Sequence, residues 1–565
     1  MKVINSQLGY RNNHSQKRVL VSDVPEARSL FGEPICTILE QNDVSKYNLN
    51  APEQLDCSHR TALKRVHTDF GTWLEADFSH VTGNGVYQVM CGNTLGPNFA
   101  IRDDVYCRIL QDCIRYFQVQ SCGREVIGWH DACHLDDGYV IEQDRYVDAA
   151  GGWHDAGDFR KWPSSIALNA ISLLLAHRQW GGREDRLGLQ QGIFLAEAMQ
   201  GVHFYLGIQD KETGGLFHAI GSGQETWHDN LDCRYTDNIR ESGDERRIWP
   251  GWSTPAAKFT TLYALYANEL KETDADLAER CHQAARNSIR RDSAEDKRPA
   301  LQLQWRAWGY LELYRYTGND EDKSAALNTL AQLLDLQVTE YIGGQSTIRG
   351  FFRSAPGLDD FHRQHIGASY VIYVIAEFIH AFPDHPDVSK WRDAISMWVD
   401  EYALVFAARN PFGLLPYALY SKPQTDAHPH HHYRQIGDSL YFRYFMAATK
   451  FGTNARCSLD AVALGAAANV LKRPELVSHA YRLLEWTLGN NPFQMSTMNG
   501  VGVVQPCALS FQMGNIPGGV TMGVFGDEAD QPWYPHAWAC TDEYYGFQTS
   551  HFMWGLLTLQ DQSVA

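Results

Sequence analysis

The sequence predicts a mainly helical protein with a small all-β segment in front of it. Three observations carry this. The first ninety or so residues hold short runs rich in β-branched and aromatic side chains, separated by turn formers. From about residue 100 onward apolar positions recur at helical spacing. No regular alternation of strands separates those helical stretches, which weighs against a doubly wound α/β fold.

Within the first segment, 17–22 and 85–90 read as strands. Turn signals fall at Asn12-Asn13, Gly32-Glu33-Pro34 and Thr82-Gly83-Asn84-Gly85. Together they predict a sandwich over 1–95, with a linker at 92–98 and a helical domain over 96–565. In 103–118, Val105, Ile109, Leu110, Cys113 and Phe117 form one helix face, with Asp103 and Asp104 at its start. Another helix begins at Thr254-Pro255, striped by Phe259, Leu262, Tyr263, Tyr266 and Leu270. Gly318 suits the end of one helix and Asn319 the cap of the next. Further helices are expected over 164–180, 190–208, 276–292, 363–381, 386–408, 434–450, 456–471, 474–489 and 544–560. Many antiparallel helices joined by Gly- and Trp-rich loops suggest a helical toroid with its site on one loop face.

The chain has 565 residues, too many for one compact core. Its 44% hydrophobic and 21% charged residues are a globular composition. A net charge of −18 argues against a nucleic-acid surface, which needs clustered Lys and Arg. No stretch approaches the ~20 apolar residues needed to span a bilayer. The opening residues carry no signal-peptide run, so the expectation is a cytoplasmic protein with no membrane partner. Twelve scattered Cys read as thiols or metal ligands rather than a disulfide framework.

The densest motif is Gly151-Gly152-Trp153-His154-Asp155-Ala156-Gly157-Asp158, followed by Phe159 and Trp162. Two carboxylates three residues apart, with small residues between and aromatic rings on either side, suit water activation beside a sugar. A second stretch, Thr541-Asp542-Glu543-Tyr544-Tyr545, places a Glu beside another acid and two Tyr just before the last helix. That setting can raise a carboxyl pKa, as a general acid requires. Trp129, Trp153, Trp162, Trp249, Trp252, Trp533 and Trp538 lie in loop-like stretches and add candidate sugar platforms.

These residues resemble glycoside hydrolase family nine: the 151–158 motif, Glu543 with its following aromatics, and Leu488-Gly489-Asn490-Asn491-Pro492 with Ser496, Gly500 and Gly502. The opening Asn5-Ser6-Gln7-Leu8-Gly9-Tyr10 is similar to the start of the immunoglobulin-like module found in some members. The resemblance implies an (α/α)6-barrel catalytic domain behind an immunoglobulin-like sandwich. It also implies an inverting mechanism with Asp158 as general base, Glu543 as general acid and Asp155 helping to hold the water.

Cys122, Cys133, His134 and His154 suit tetrahedral zinc by residue type, although their spacing is not a finger repeat. The resemblance implies that they hold a structural zinc beside the base loop. His428, His430, His431 and His432 form a His-rich run expected to be solvated or sugar-contacting. Calcium, which family members often bind, is left open, and no organic cofactor is expected.

For substrate, the Pro-His-His-Arg-like stretch that cellulose-cutting members carry after the Gly-x-Gly segment is absent following Gly502. Asp542 stands where many relatives have Asn, and Asp136, Asp137, Glu142, Asp144 and Asp148 precede the base loop. Carboxylates would favour a cationic amino sugar. The resemblance to intracellular exo-β-glucosaminidases therefore leads to an expectation of glucosamine release from chitosan-type oligosaccharides, with Asp542, Asp136, Asp137, Trp153 and Tyr544 contacting the sugar. A β-glucosidase or endoglucanase acting on cello-oligosaccharides, or a binding protein without catalysis, are the alternatives.

Overall fold

The computed structural model describes residues 1–22, 35–40, 59–222, 235–292, 299–342, 348–357, 360–363, 369–426, 428–446, 452–507, 514–537 and 541–560. Nine strands occupy the described residues up to Ile101: β1 (Val3–Ile4), β2 (Gly9–Tyr10), β3 (Arg18–Ser22), β4 (Ile35–Glu40), β5 (Arg60–Ala62), β6 (Lys64–Thr68), β7 (Gly71–Asp77), β8 (Gly85–Cys91) and β9 (Thr94–Ile101). They form two sheets, ordered β1-β3-β7-β6 and β2-β9-β8-β4-β5. Val3, Val19, Val21 and Leu74 of one sheet meet Ile38, Tyr87, Val89 and Phe99 of the other in a shared buried cluster. The predicted strands at 17–22 and 85–90 correspond to β3 and β8. The stretch expected as a linker is instead the tight β8–β9 turn and the first half of β9, so the β segment runs to Ile101. The Gly32-Glu33-Pro34 turn lies outside the described residues.

One sheet is covered on both faces, which explains why β3 reads as an unbroken apolar run rather than an alternation. Val19 and Val21 face the second sheet, while Ile4 and Leu20 join the core of the helical part. Phe70 packs against Phe412, Tyr444 and Phe445, and Arg409 donates to both oxygens of Asp69. Gln7 is the firmest tie. Its side-chain oxygen accepts from the amides of Val503 and Val504 at 2.8 and 3.0 Å, and its amide donates to the Gln494 carbonyl. Gly489 and Gly502 leave room for it, since a Cβ on either would lie 2.8 or 2.5 Å from Gln7.

The helices are α1 (Cys107–Val119), α2 (Pro163–Trp180), α3 (Ile193–Gly207), α4 (Ala256–Leu270), α5 (Ala275–Arg291), α6 (Pro299–Thr317), α7 (Asp320–Leu334), α8 (Tyr370–Ala381), α9 (Val388–Trp398), α10 (Leu404–Ala407), α11 (Asn454–Leu471), α12 (Glu475–Thr487) and α13 (Gly546–Gln560). A π-turn, Val399–Ala403, joins α9 to α10. α2 packs on α4, α4 on α6, α6 on α8, α8 on α11, α11 on α13, and α13 back on α2, closing a ring. Each ring helix is backed by an outer one: α3, α5, α7, α9, α12 and, behind α13, α1. Burial follows this placement. α11 and α13 are buried on nearly every side, whereas α5 buries a single stripe of Leu277, Ala278, Cys281, Ala284 and Ala285.

The first two turns of the ring helices meet one another. Lys258 of α4 donates to Ser164 of α2, Thr261 to the Trp305 carbonyl of α6, and Trp305 lies 4.8 Å from the Tyr370 ring of α8. Ser369, capping α8, donates to Asp460 of α11, and Ser550 of α13 to Asn169 of α2. All six N-terminal ends therefore gather at one end of the ring, a region of positive helix dipole. Farther along, a charged chain Glu269–Arg178–Glu312–Arg315–Glu377 links α4, α2, α6 and α8. The adjacent guanidinium groups hold the buried Glu312 and half-buried Glu377 carboxyls below their usual range despite the cost of desolvation.

Two expectations in the helical part also change. The stretch 434–450, read as a helix, begins instead with a hairpin, Arg434–Ile436 paired with Leu440–Arg443 across a Gly437-Asp438 turn. These strands and Ala418–Tyr420 belong to a small sheet on the helical part. The helix expected from 363 starts at Tyr370. Among the described residues no helix is long and apolar enough to cross a membrane.

Glu312 is fully buried and accepts from Arg178, Arg315, Trp308 and Asn268. Glu312→Ala should cost about 3 kcal/mol, because it strands two half-buried cations. The expected readout is a lower urea midpoint with an unchanged slope.

Candidate active site

The base loop, residues 151–162, runs directly into α2. Its backbone needs Gly151 and Gly152, with φ of +88° and +70°, and a Cβ on Gly152 would sit 2.9 Å from the Phe204 ring. The Asp155 amide donates to the Arg160 carbonyl at 2.8 Å, and the Gly546 amide at the start of α13 donates to the Asp155 carbonyl at 2.8 Å. Base loop and acid segment are thus joined through the main chain. A second link is direct. The Gly157 amide, between the two aspartates, donates to Glu543 Oε1 at 3.2 Å, and the Tyr545 hydroxyl donates to Oε2 at 2.8 Å.

Asp155, Asp158 and Glu543 are all buried, at 4%, 8% and 2% exposure. Burial, and then the Asp158 charge, pushes the Glu543 carboxyl up to about 8. Burial also pushes Asp155 up to about 7, with Asp158 adding to the rise. Asp158 itself accepts the Arg160 amide at 3.1 Å and faces the Arg160 guanidinium at 3.8 Å. Asp155 Oδ1 has no hydrogen-bond partner among the described residues. Glu543 therefore keeps its proton to a higher pH than an ordinary carboxyl, Asp158 faces an amide donor and a guanidinium, and Asp155 Oδ1 offers an acceptor.

The structure brings the three predicted catalytic residues together but reassigns several predicted sugar contacts. Trp153 is fully buried, its indole N–H donates to Glu197 at 3.3 Å, and its ring packs on Gly201. It is core, not a platform. Tyr544 is also fully buried, edge-on to Tyr116 at 5.4 Å, and the neighbouring Tyr545 takes the expected place beside Glu543. Asp137 is sealed between Lys161 at 2.6 Å and Arg246 at 2.7 Å, and those cations hold its carboxyl far below the usual range. Because Lys161 also donates to the Ala149 and Gly151 carbonyls, this trio fastens the base loop. Asp136 is buried and accepts from Thr236 at 2.6 Å; its acidic neighbours are Asp237 and Asp244 rather than the catalytic carboxyls. Asp542 is buried beside Glu543 and accepts from Tyr534 at 2.6 Å, with His536 at 3.8 Å.

Among the loop tryptophans, Trp249 is buried under the Arg160 guanidinium, and Trp252 is stacked on Phe217. Trp129 and Trp162 are half-buried, Trp533 is exposed, and Trp538 lies outside the described residues.

Two residues escaped sequence reasoning. Tyr545 had a local signal, the second Tyr after Glu543. Arg456 had none, since one Arg in a helical run reads as a surface charge. It sits in the first turn of α11, at the N-terminal end of the ring. It is 6% exposed, and its Nε and Nη2 have no hydrogen-bond partner among the described residues.

Beside the base loop, Cys122, Cys133, His134 and His154 converge, with one ligand atom of each within 4.8 Å of the others. Cys122 Sγ lies 3.7 Å from His134 Nδ1, and Cys133 Sγ 3.7 Å from His154 Nε2. An ion with metal–sulfur and metal–nitrogen bonds of about 2.3 and 2.0 Å has a tetrahedral S···N edge of about 3.5 Å, close to the two S···N separations here, so the donor set fits. The Cys122 amide donates to the Gly152 carbonyl and the His154 amide to the Gln120 carbonyl, tying the cluster to the base loop. The His428–His432 run is not part of any metal-competent group among the described residues.

Residues 106–510 match the model of glycosyl hydrolase family 9, and the chain belongs to that family. The "Cellodextrinase" of Butyrivibrio fibrisolvens is 27% identical over 224 residues, 37% of this chain and 39% of that protein. "Endoglucanase D" of Acetivibrio thermocellus is 27% identical over 233 residues, 38% of this chain and 36% of that one. The matched stretch thus spans less than two-fifths of these relatives. A single mutant of the thermostable endoglucanase from Alicyclobacillus acidocaldarius has the same fold, with a TM-score of 0.70 at 18% identity, covering 99% of each chain.

Because folded Glu543 titrates near 8 against an ordinary 4.5, the folded state holds this proton more tightly than the unfolded one. Stability attributable to it is complete below about pH 4.5 and declines as pH rises toward 8. Glu543→Gln should therefore match the parent in urea midpoint at pH 4 and exceed it at pH 8.

Proposed function

We propose that the chain hydrolyses a β-glycosidic bond in short cello-type oligosaccharides by single-step inversion. The observation that carries this is the protonated Glu543, held by Gly157 and Tyr545, next to the anionic Asp158. Asp158 takes a proton from water as the water oxygen bonds to the anomeric carbon. Glu543 gives its proton to the departing glycosidic oxygen as that carbon–oxygen bond breaks. Asp155 Oδ1 is free to accept the water's other hydrogen. Once Glu543 has ionised, the Gly157 N–H and Tyr545 O–H stabilise its carboxylate until solvent restores the proton. Such a displacement needs the two carboxyls about 6.5–9.5 Å apart, room for one water.

The cello-type reading is supported by the printed names of the relatives and by the charge inventory. Asp137, one of the acids that favoured an amino sugar, is neutralised by Arg246 and Lys161, and Asp136 is buried away from the pair. Release of glucosamine is the second reading. It rests on Asp542, a buried acid adjoining Glu543 that lies 3.8 Å from the His536 ring.

We also read the double ring of helices as an (α/α)6 barrel, the strands before it as an immunoglobulin-like module, and the four-ligand cluster as a structural zinc site. The closed donor set supports zinc, leaving no open position for substrate. Bound there, zinc would stiffen the loop that presents Asp155 and Asp158.

Two measurements check these readings. Cellotetraose and the chitosan tetramer should be compared by product analysis, with NMR of the first product formed. Faster cellotetraose cleavage to an α-anomer is expected, lost by about 10³-fold or more in Asp158→Asn and Glu543→Gln. Faster chitosan cleavage selects the second reading, and a β-anomer removes inversion. Elemental analysis should find zinc in the purified chain. Cys133→Ser should lose it, with a Tm drop of several degrees.

A further inference from the structure

We propose that the N-terminal end of α11 is an oxyanion-binding site built around Arg456. Its guanidinium is buried, and Nε and Nη2 have no hydrogen-bond partner among the described residues. Two other buried arginines show what such a group ordinarily takes up. Arg246 donates to both oxygens of Asp137, and Arg443 donates to the carbonyls of His432, Glu528 and Asp527. A buried guanidinium without acceptor or counter-charge is costly, and a bound anion removes both defects.

The main chain supplies the second observation. The Cys457 amide makes the first bond of α11, to the Thr453 carbonyl. Ahead of it, the amides of Ala455 and Arg456 have no acceptor among the described residues, and the Thr453 side chain does not cap them. Both residues are buried. Two unused N–H groups at the positive end of an 18-residue helix form a cradle for negative charge. Arg456 belongs to that first turn, where side chains lean back toward the helix start. Its near neighbours do not neutralise it. Burial pushes the Cys457 thiol up to about 12, and the Tyr402 hydroxyl of the π-turn well up, so both are uncharged at neutral pH. Asp460, one turn on, accepts the Ser369 hydroxyl at 2.6 Å and forms no ion pair with Arg456.

Paired amides beside a planar guanidinium suit an oxyanion, whose several oxygens can accept from both. Water could accept some of these donors but cannot offset the charge. A phosphate or a carboxylate has the required chemistry, free in solution or carried on a sugar. The site is also linked to the acid segment. Asn454, the first residue of α11, donates through Nδ2 to the Thr521 carbonyl at 2.9 Å. The next residue, Met522, donates its amide to the Glu543 carbonyl at 2.9 Å. An anion held here would fix the helix start against which the main chain behind Glu543 is anchored.

The test uses the full chain, dialysed into dilute Tris buffer and titrated by calorimetry with inorganic phosphate and, separately, with glucuronate. Glucose is the uncharged control for binding in the catalytic cleft. The expected result is one site for an oxyanion with a Kd of about 1 mM or below, and a Tm that rises as that site fills. Tighter phosphate binding assigns a free oxyanion, and tighter glucuronate binding assigns an acidic sugar. Arg456→Met should weaken binding about tenfold or more. Arg456→Lys keeps the charge but loses the planar fork, and should weaken it about threefold or more; this variant carries the test if the methionine variant does not fold. The proposal is overturned if the wild type binds neither oxyanion at millimolar concentration, or if the folded variants bind as the wild type does.

Discussion

Three carboxyl groups held out of water in one small region cannot all be ionised, and this constraint organises the site. The way out is division of labour: one group keeps its charge and the others keep their protons longer than usual. Asp158 has the Arg160 amide and guanidinium nearby, while Glu543 is pushed up to about 8 by burial and by Asp158 itself. After burial, the Asp158 charge is the next largest part of what keeps the proton on Glu543. The Gly157 amide makes the coupling geometric as well, because the loop that carries Asp158 also donates to Glu543.

The remaining structure keeps those groups where solvent cannot relax them. The N-terminal ends of six ring helices face the loops, while the Glu269–Arg178–Glu312–Arg315–Glu377 chain fastens the ring farther along. The base loop is pinned on two further sides, by the Asp137–Lys161–Arg246 trio and by the Cys122, Cys133, His134 and His154 cluster. Residues that look like chemistry in the sequence, such as Asp137 and Trp153, prove to be supports for it.

Much of the fold was legible because long helices advertise themselves by period, as at α4, α5 and α7, and because Asn319 is a cap that the structure confirms with its bond to the Glu321 amide. The 434–436 and 440–443 hairpin was misread because its side chains alternate over too few residues to distinguish a short strand from one helix face. That Asp155, Asp158 and Glu543 belong to one site was readable from residue type and motif order, and the structure joins their segments through the Gly157–Glu543 bond. The sugar contacts were not, because exposure is decided by tertiary packing. Trp153 and Tyr545 are both aromatic residues next to a catalytic motif, yet Trp153 is fully buried and Tyr545 touches Glu543. Arg456 shows the same limit from the other direction, as a charge that only the closed ring reveals to be interior.

The clasp formed by Gln7 has a consequence for how such a protein can change over evolutionary time. Its side chain occupies a slot cleared by two glycines nearly five hundred positions downstream, and it accepts from the Val503 and Val504 amides there. The sandwich is therefore not a detachable appendage of the kind that genomes shuffle between enzymes. Gene fusion or domain exchange that separated the two parts would open a seam beside the Leu488–Pro492 turn, so they are constrained to be inherited together.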